Sequence, residues 1–442
     1  MADQKLKALF IVGLTILIIL SIYHNSVVAT LPEFITDHNK ILIIPIEFDD
    51  MRYTDFQNQI DVFAKKLPYI LPFSNNSNIY SGLTVEDYFR EVSYGKYQPN
   101  FTIVYLEING SARPFHIYKN WTYYPTYWSN IAGGYGKLFF DIPTDFRSEF
   151  YTNLAEVEKK VGPLDQYQTF VIVHPGYEQQ WTHNPNDMRT SSWYNGSFGY
   201  SLKGVTTTII SCSSEVGPIA HELGHSLRLL DLYDKNHLFS FGGKYSLMAD
   251  GSWLENGTKP PQLFSIEKYW LGWLSASNIS MVDSGKRTII LSPLDDSRTG
   301  PYKAIKIPID PISYYVLEYR RNGSKAGLDE FLPSNGVLLY KVNESLPNPE
   351  ETSLYGNGVI NVIKNIDSPS NFQLNDKIIN ITSINENLVE VEISSTLIDM
   401  NQIILSVVAV ICISLVLFGV YRKISLKRKE STPQKIKNKK HK

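Results

Sequence analysis

The chain has 442 residues, of which 43% are hydrophobic and 13% aromatic, so it is long enough for two or three domains with substantial cores and is neither disordered nor fibrous. The net charge of −2 conceals a basic C-terminal tail, and without that tail and the first seven residues, 30 Lys and Arg face 42 Asp and Glu. This acidic body excludes nucleic acid as an expected partner. The 2 cysteines, Cys212 and Cys412, lie in dissimilar surroundings and give no disulfide framework.

The two ends of the chain carry apolar segments. Residues 8–23 are uncharged and follow Lys5 and Lys7, which is typical of a signal peptide or N-terminal anchor, and we assign residues 1–29 to it. Ile403 to Val420 is a run of 18 uncharged residues followed by basic ones, and it is long enough to span a hydrocarbon core of ~30 Å. We therefore predict a transmembrane helix at 399–421 in contact with the lipid bilayer, and a basic cytoplasmic tail at 422–442.

This topology makes the protein a single-pass or two-pass cell-membrane protein whose body is extracellular. Asn-x-Ser/Thr sequences, which are acceptors for glycosylation, support an extracellular body because they all lie between the two apolar segments. The candidate glycosylation sites are Asn75, Asn100, Asn109, Asn120, Asn195, Asn256, Asn278, Asn322, Asn343 and Asn380.

Between its ends the chain mixes strands and helices without regular alternation. The pattern predicts strands at 40–48, 168–174 and 205–210, a helix at 84–94, and a second helix from about Glu215 to Leu230. After about residue 275 the pattern becomes β-rich, with strands at 287–291, 302–307, 314–319, 336–342, 359–363 and 388–393. We predict an α+β protein with one domain at 30–278 and a β-rich domain at 279–398.

The second helix contains the sequence His221-Glu222-Leu223-Gly224-His225, an HExxH pattern. On a helix its two histidines lie one turn apart on one face, so both imidazoles can bind a single zinc ion. Glu222 would then lie beside the open coordination position and act as the general base on a zinc-bound water. This pattern predicts a zinc-dependent hydrolase.

A catalytic zinc site needs a third protein ligand. Asp231 follows His225 by six residues, which is the offset of the third ligand in the metzincin pattern HExxHxxGxxH/D, and we expect it to be that ligand. That pattern has Gly at the sharp turn, where this chain has Arg228. Asp234 and Glu267 are the alternative third ligands.

Several segments in order resemble the immune inhibitor A family of secreted zinc metallopeptidases. HELGHSLRLLDLYD at 221–234 is similar to that family's HExGHxLGLPDLYD, and YSLMADGSW at 245–253 resembles its Met-containing turn. Further similar segments are ILIIPIEFDD (41–50), TVEDYFREVSYGKY (84–97), FVIVHPGYEQQ (170–180), PPQLFSIEKYWLGWL (260–274), YYVLEYRRNG (314–323) and LPSNGVLLYKVNES (332–345).

The resemblance implies a zincin or metzincin-like catalytic domain with a mixed sheet and an active-site helix. It implies zinc on His221, His225 and Asp231, Glu222 as the general base, and Met248 as a hydrophobic floor beneath the metal. Calcium is implied by resemblance only, without assigned residues. Asp250 stands where some metzincins have a catalytic Tyr, so we assume no tyrosine switch.

We predict a membrane-anchored, outward-facing zinc metalloendopeptidase that hydrolyses polypeptide substrates. Two alternatives stay open: a catalytically inactive surface or adhesion protein on a metallopeptidase scaffold, and a zinc hydrolase of a non-peptide polymer. Five further residues, which we interpret as core or surface rather than functional, are Trp253, Trp270, Trp273, His174 and His183.

Overall fold

The computed structural model describes residues 39–67, 82–120, 144–182, 187, 190–194, 205–234, 239–296, 300, 302–322, 328–344, 359–395 and 400–430. The helices are α1 (Phe56–Lys66), α2 (Val85–Val92), α3 (Thr144–Val161), α4 (Gln179–Thr182), α5 (Val216–Ser226), α6 (Ser265–Trp270) and α7 (Met400–Glu430). The strands are β1 (Lys40–Phe48), β2 (Asn100–Ile103), β3 (Leu106–Ile108), β4 (Ser111–Arg113), β5 (Phe115–Ile117), β6 (Thr169–His174), β7 (Ser191–Tyr194), β8 (Thr206–Ser211), β9 (Ile279–Met281), β10 (Lys286–Leu291), β11 (Ala304–Pro308), β12 (Ser313–Arg320), β13 (Gly336–Asn343), β14 (Ile360–Ile366), β15 (Ser370–Leu374), β16 (Lys377–Asn385) and β17 (Leu388–Ser395).

The first sheet has the order β2-β1-β6-β8-β7, and β5 pairs with the last residues of β1. Its strands are parallel except β7, which runs antiparallel to β8 at the edge. Both faces are covered: Ile41 and Ile43 pack on the side of α1, α2 and α5, while Leu42 and Ile44 pack on the side of α3. Because side chains alternate between faces, β1 must be apolar at nearly every position, as its sequence is.

Two further sheets follow residue 278. One is antiparallel, in the order β10-β17-β16-β15, and the other has the order β14-β13-β12-β11-β9. They enclose a common core to which β17 contributes Val389, Val391 and Ile393. Each of the six β segments predicted after about residue 275 overlaps one of these strands.

The sheet that contains β12 and β13 also packs against the helical part of the chain. Leu338, Tyr340 and Val342 of β13 belong to the same buried cluster as Leu223 of α5 and Met248. The core is therefore continuous from the first sheet, through α5, to the β-rich part.

The fold prediction is corrected at its C-terminal end. A membrane-spanning helix must supply roughly 20 consecutive apolar residues, and within the described part of the chain no helix is long and apolar enough to cross a membrane. This finding contradicts the predicted transmembrane helix at 399–421 and leaves the lipid bilayer unsupported as a partner. The signal or anchor segment at 1–29 and most of the tail at 422–442 lie outside the described residues. The extracellular location and glycosylation stay predictions.

Candidate metal centre

Helix α5 is anchored at its start by contacts from distant parts of the chain. The Lys66 ammonium group at the end of α1 donates to the carbonyl oxygen of Ser214 at 2.9 Å and pairs with Glu215 at 2.9 Å. Gly217 lies so close to Ser252 that an added Cβ would overlap its carbonyl oxygen. Pro218 fits the first turn because an N–H at that position would have no backbone partner within the helix. These contacts fix the helix on which His221, Glu222 and His225 lie, all buried.

The helix ends earlier than predicted, at Ser226 instead of about Leu230. Arg228 has φ +70°, in the left-handed region, its N–H donates to His225 O at 2.9 Å, and the Leu229 N–H donates to Gly224 O at 3.1 Å. This bonding pattern is the Schellman motif, which usually places Gly at the left-handed position. The sharp turn of the metzincin pattern is therefore present here with Arg in place of Gly.

Both imidazoles are oriented by backbone carbonyl groups. His221 Nδ1 lies 2.9 Å from Leu247 O, and His225 Nδ1 lies 2.9 Å from Leu229 O. A carbonyl oxygen can only accept, so each Nδ1 carries a hydrogen and each Nε2 is turned toward Asp231. Fixing the tautomer through the second ring nitrogen is the usual arrangement of metal-binding histidines.

Asp231 brings a carboxylate to the two Nε2 atoms. Its Oδ1 lies 3.0 Å from His221 Nε2 and 3.3 Å from His225 Nε2, and one ligand atom from each of the three residues lies within 4.8 Å of the others. This Oδ1 is buried and faces the two imidazole nitrogens. Two imidazole nitrogens and one carboxylate oxygen thus converge at one buried point, and the residues fit a bound metal ion.

The electrostatics of the site favour positive charge. Burial lowers the pKa of His225, but the Asp231 carboxylate outweighs burial and raises it to about 9. Burial likewise raises the pKa of Asp231, and the two imidazoles outweigh that effect and hold it well below its usual value. A proton or a metal ion bound between these residues would neutralise the negative charge of the Asp231 carboxylate.

The alternative third ligands have other partners. Asp234 Oδ1 accepts from the Phe239 N–H at 2.7 Å and so closes a local turn. Glu267 Oε2 accepts from the Phe264 N–H at 2.8 Å at the start of α6. Among the described residues, His221, His225 and Asp231 form the one group of three side chains that could hold a metal ion. The described residues therefore give no support for a calcium site.

Glu222, the expected general base, is held by a residue that the sequence did not indicate. The Ser192 hydroxyl on β7 donates to Glu222 Oε2 at 2.5 Å. Ser192 Oγ also lies 2.6 Å from Thr208 Oγ1 on the neighbouring strand β8. The base is therefore connected to the edge of the first sheet.

Met248, predicted as a hydrophobic floor, packs against α5 at Gly224. It is fully buried, and its Sδ would lie 2.6 Å from a Cβ added to Gly224, so a larger residue there would displace the Met248 side chain. The Met248 carbonyl oxygen accepts from the Leu232 N–H at 2.7 Å, next to Asp231. Asp250 is exposed and begins a 3₁₀ segment. The Tyr233 ring, which the sequence analysis did not single out, stacks on His221 with centroids 6.2 Å apart.

A buried ion cluster from the β-rich part supports this Met-containing turn. The fully buried Arg320 guanidinium binds Asp329 through two hydrogen bonds of 2.7 and 2.6 Å and Glu318 through one of 3.1 Å. Arg320 Nη1 also donates to the carbonyl oxygen of Tyr245 at 3.0 Å, just before the turn. The only sequence signal was the presence of two charged residues, Glu318 and Arg320, within an otherwise apolar strand.

The residues interpreted as core or surface agree with that interpretation where they are described. Trp273 is buried and stacks on Tyr97, with centroids 6.0 Å apart. His174 is buried at the end of β6, and burial lowers its pKa to about 3, so it is neutral. Trp253 and Trp270 are half-buried, and His183 lies outside the described residues.

The candidate glycosylation residues are distributed as follows. Asn100, Asn109, Asn120, Asn256 and Asn322 are exposed, Asn278, Asn343 and Asn380 are half-buried, and Asn75 and Asn195 lie outside the described residues.

Comparison with known proteins agrees with this geometry over part of the chain. No curated protein matches the sequence. The range that matches a family model includes α5, Asp231, Met248 and α6. Residues 176–275 match the model described as immune inhibitor A peptidase M6, catalytic domain, which confirms the resemblance for this part of the chain and implies a metallopeptidase.

Proposed function

We propose that the protein is a zinc-dependent endopeptidase whose metal is held by His221, His225 and Asp231. The observation that carries this proposal is the convergence of the two Nε2 atoms on the buried Asp231 Oδ1. Two imidazoles and one carboxylate are a donor set that zinc prefers, and three protein ligands leave the fourth position open, as catalytic sites require.

Zinc bound there would supply a Lewis acid and a water of lowered pKa. Glu222 would take the proton of the attacking water on Oε1, since Oε2 is engaged by Ser192. It would then hand that proton to the amine that leaves when the peptide bond breaks. The low exposure of Glu222 (6%) keeps bulk water from competing for its oxygens.

The substrate is best placed along β7. This strand is the antiparallel edge of the first sheet, and its Ser192 touches Glu222. An extended peptide could add to that edge through main-chain hydrogen bonds, with its scissile bond facing the metal centre. This placement supports an endopeptidase, because an added strand needs chain on both sides of the bond.

Metal analysis of the purified protein tests the proposal, with Asp231→Asn compared against the matched variant Asp234→Asn. We expect one zinc per chain in the wild type and in Asp234→Asn, and loss of zinc in Asp231→Asn. Glu222→Gln should keep its zinc and lose cleavage of an unfolded protein substrate. Zinc retained in Asp231→Asn would refute the ligand set, and cleavage retained in Glu222→Gln would refute the mechanism. An inactive adhesion protein should show no cleavage in the wild type.

A further inference from the structure

The hydroxyl groups beside Glu222 form a short buried chain. Ser192 and Thr208 are each 1% exposed and face each other in the antiparallel register of β7 and β8. Ser192 Oγ lies 2.6 Å from Thr208 Oγ1 and 2.5 Å from Glu222 Oε2. Nothing in the HExxH pattern requires a serine at this point.

The direction of these hydrogen bonds follows from their chemistry. An ionised carboxylate can only accept, so the single hydroxyl hydrogen of Ser192 points to Glu222 Oε2, and Thr208 must donate to Ser192 Oγ. A longer contact of 3.3 Å from Ser192 Oγ to the Glu222 carbonyl oxygen competes for the same hydrogen and is weaker. Each donor polarises the next, so the chain delivers one strong, charge-assisted bond to the carboxylate.

We propose that Ser192, supported by Thr208, is a positioning residue that fixes the Glu222 carboxylate with Oε1 directed to the metal centre. The proposal rests on the proposed function, in which Glu222 is the general base. A Glu side chain rotates freely about its last bond, and occupation of Oε2 removes that freedom. Because Ser192 belongs to β7, the strand expected to receive the substrate also orients the base.

Kinetics of Ser192→Ala on the zinc-loaded full chain test this role. We expect kcat to fall about tenfold while KM and zinc stoichiometry stay unchanged, since one charge-assisted bond is lost and no substrate contact changes. Ser192→Thr restores the hydroxyl and should recover most of kcat. In the Glu222→Gln background, Ser192→Ala should change the residual rate no further. An unchanged kcat in Ser192→Ala with zinc bound would overturn the proposal.

Thermal unfolding gives a measurement that does not depend on activity. Ser192→Ala should lower the Tm in the presence of Glu222 and have a much smaller effect in the Glu222→Ala background, because the two side chains contact each other. Equal losses of Tm in both backgrounds would refute the contact, even if the wild type cleaves no peptide and the proposed function fails. Should Ser192→Ala not fold, Thr208→Val is judged by the same kcat criterion.

Discussion

Gly217→Ala should damage the metal centre from four residues before its first ligand. Gly217 lies in the first turn of α5, against the backbone of the 3₁₀ segment at Asp250–Gly257. A Cβ there would overlap the Ser252 carbonyl oxygen and lie 2.9 Å from Gly257 O. Both obstacles are backbone atoms, so no side-chain rotation can remove the overlap.

The size of the effect follows from two opposing terms. Overpacking of this kind costs ~1–3 kcal/mol, or more where the backbone must shift. Alanine offsets up to about 1 kcal/mol of this cost through its higher helix propensity. We expect a net loss of about 2 kcal/mol in the free energy of unfolding, or roughly 4–8 °C in Tm. A shift of the helix that relieves the overlap would move His221 relative to Asp231, so zinc affinity should fall as well.

Thermal unfolding and zinc retention against a competing chelator measure both effects. Gly419→Ala is the matched control because it makes the same change in helix α7, where nothing lies within 4 Å of the added Cβ. We expect this control to be neutral or slightly stabilising. If Gly217→Ala unfolds at the same temperature as Gly419→Ala and retains zinc equally, the packing of α5 on the 3₁₀ segment does not position the site.

Two further predictions concern the turn after α5 and the start of α6. Arg228→Gly should raise the free energy of unfolding by ~0.5–1 kcal/mol in a denaturant titration, because the left-handed φ of +70° costs Arg more than it costs Gly; lower stability would show that contacts of Arg228 outweigh the strain. Burial raises the pKa of Glu267 to about 8, above its unfolded value. Between about pH 4.5 and 8 the folded state therefore holds a proton that the unfolded state has already lost. Wild-type stability should therefore decline across that window relative to Glu267→Gln, and parallel pH profiles of the two proteins would contradict this assignment.

The metal centre could be predicted from the sequence because its parts are close along the chain. His221, His225 and Asp231 lie within eleven residues, and helical geometry alone brings two of them to one ion. The end of the helix was placed too late because Leu227 to Leu230 continue the apolar helical pattern. The chain instead leaves the helix after Ser226 and turns at Arg228, which brings Asp231 to the two imidazoles. Arg228 is also the residue at which the sequence departs from the Gly of the metzincin pattern.

Residues that act across long sequence distances could not be predicted. Ser192 reaches Glu222 only because β7 pairs antiparallel with β8 in one particular register. The four residues of β7, SSWY, are too few to give a periodic signal for that pairing. The β-rich part was easier to predict where strands are mostly apolar, as in β12 and β13, than where polar residues alternate, as in β15 and β16, which the pattern did not indicate.

The bond from Arg320 to the Tyr245 carbonyl oxygen has a consequence for the order in which the protein matures. During synthesis the ligands from His221 to Asp231 leave the ribosome well before β12, which carries Arg320. The turn that orients His221 through Leu247 therefore gains its support only after most of the chain has been made. A nascent chain stalled before β12 would hold every candidate metal ligand without the Arg320 contact to the Tyr245 carbonyl oxygen.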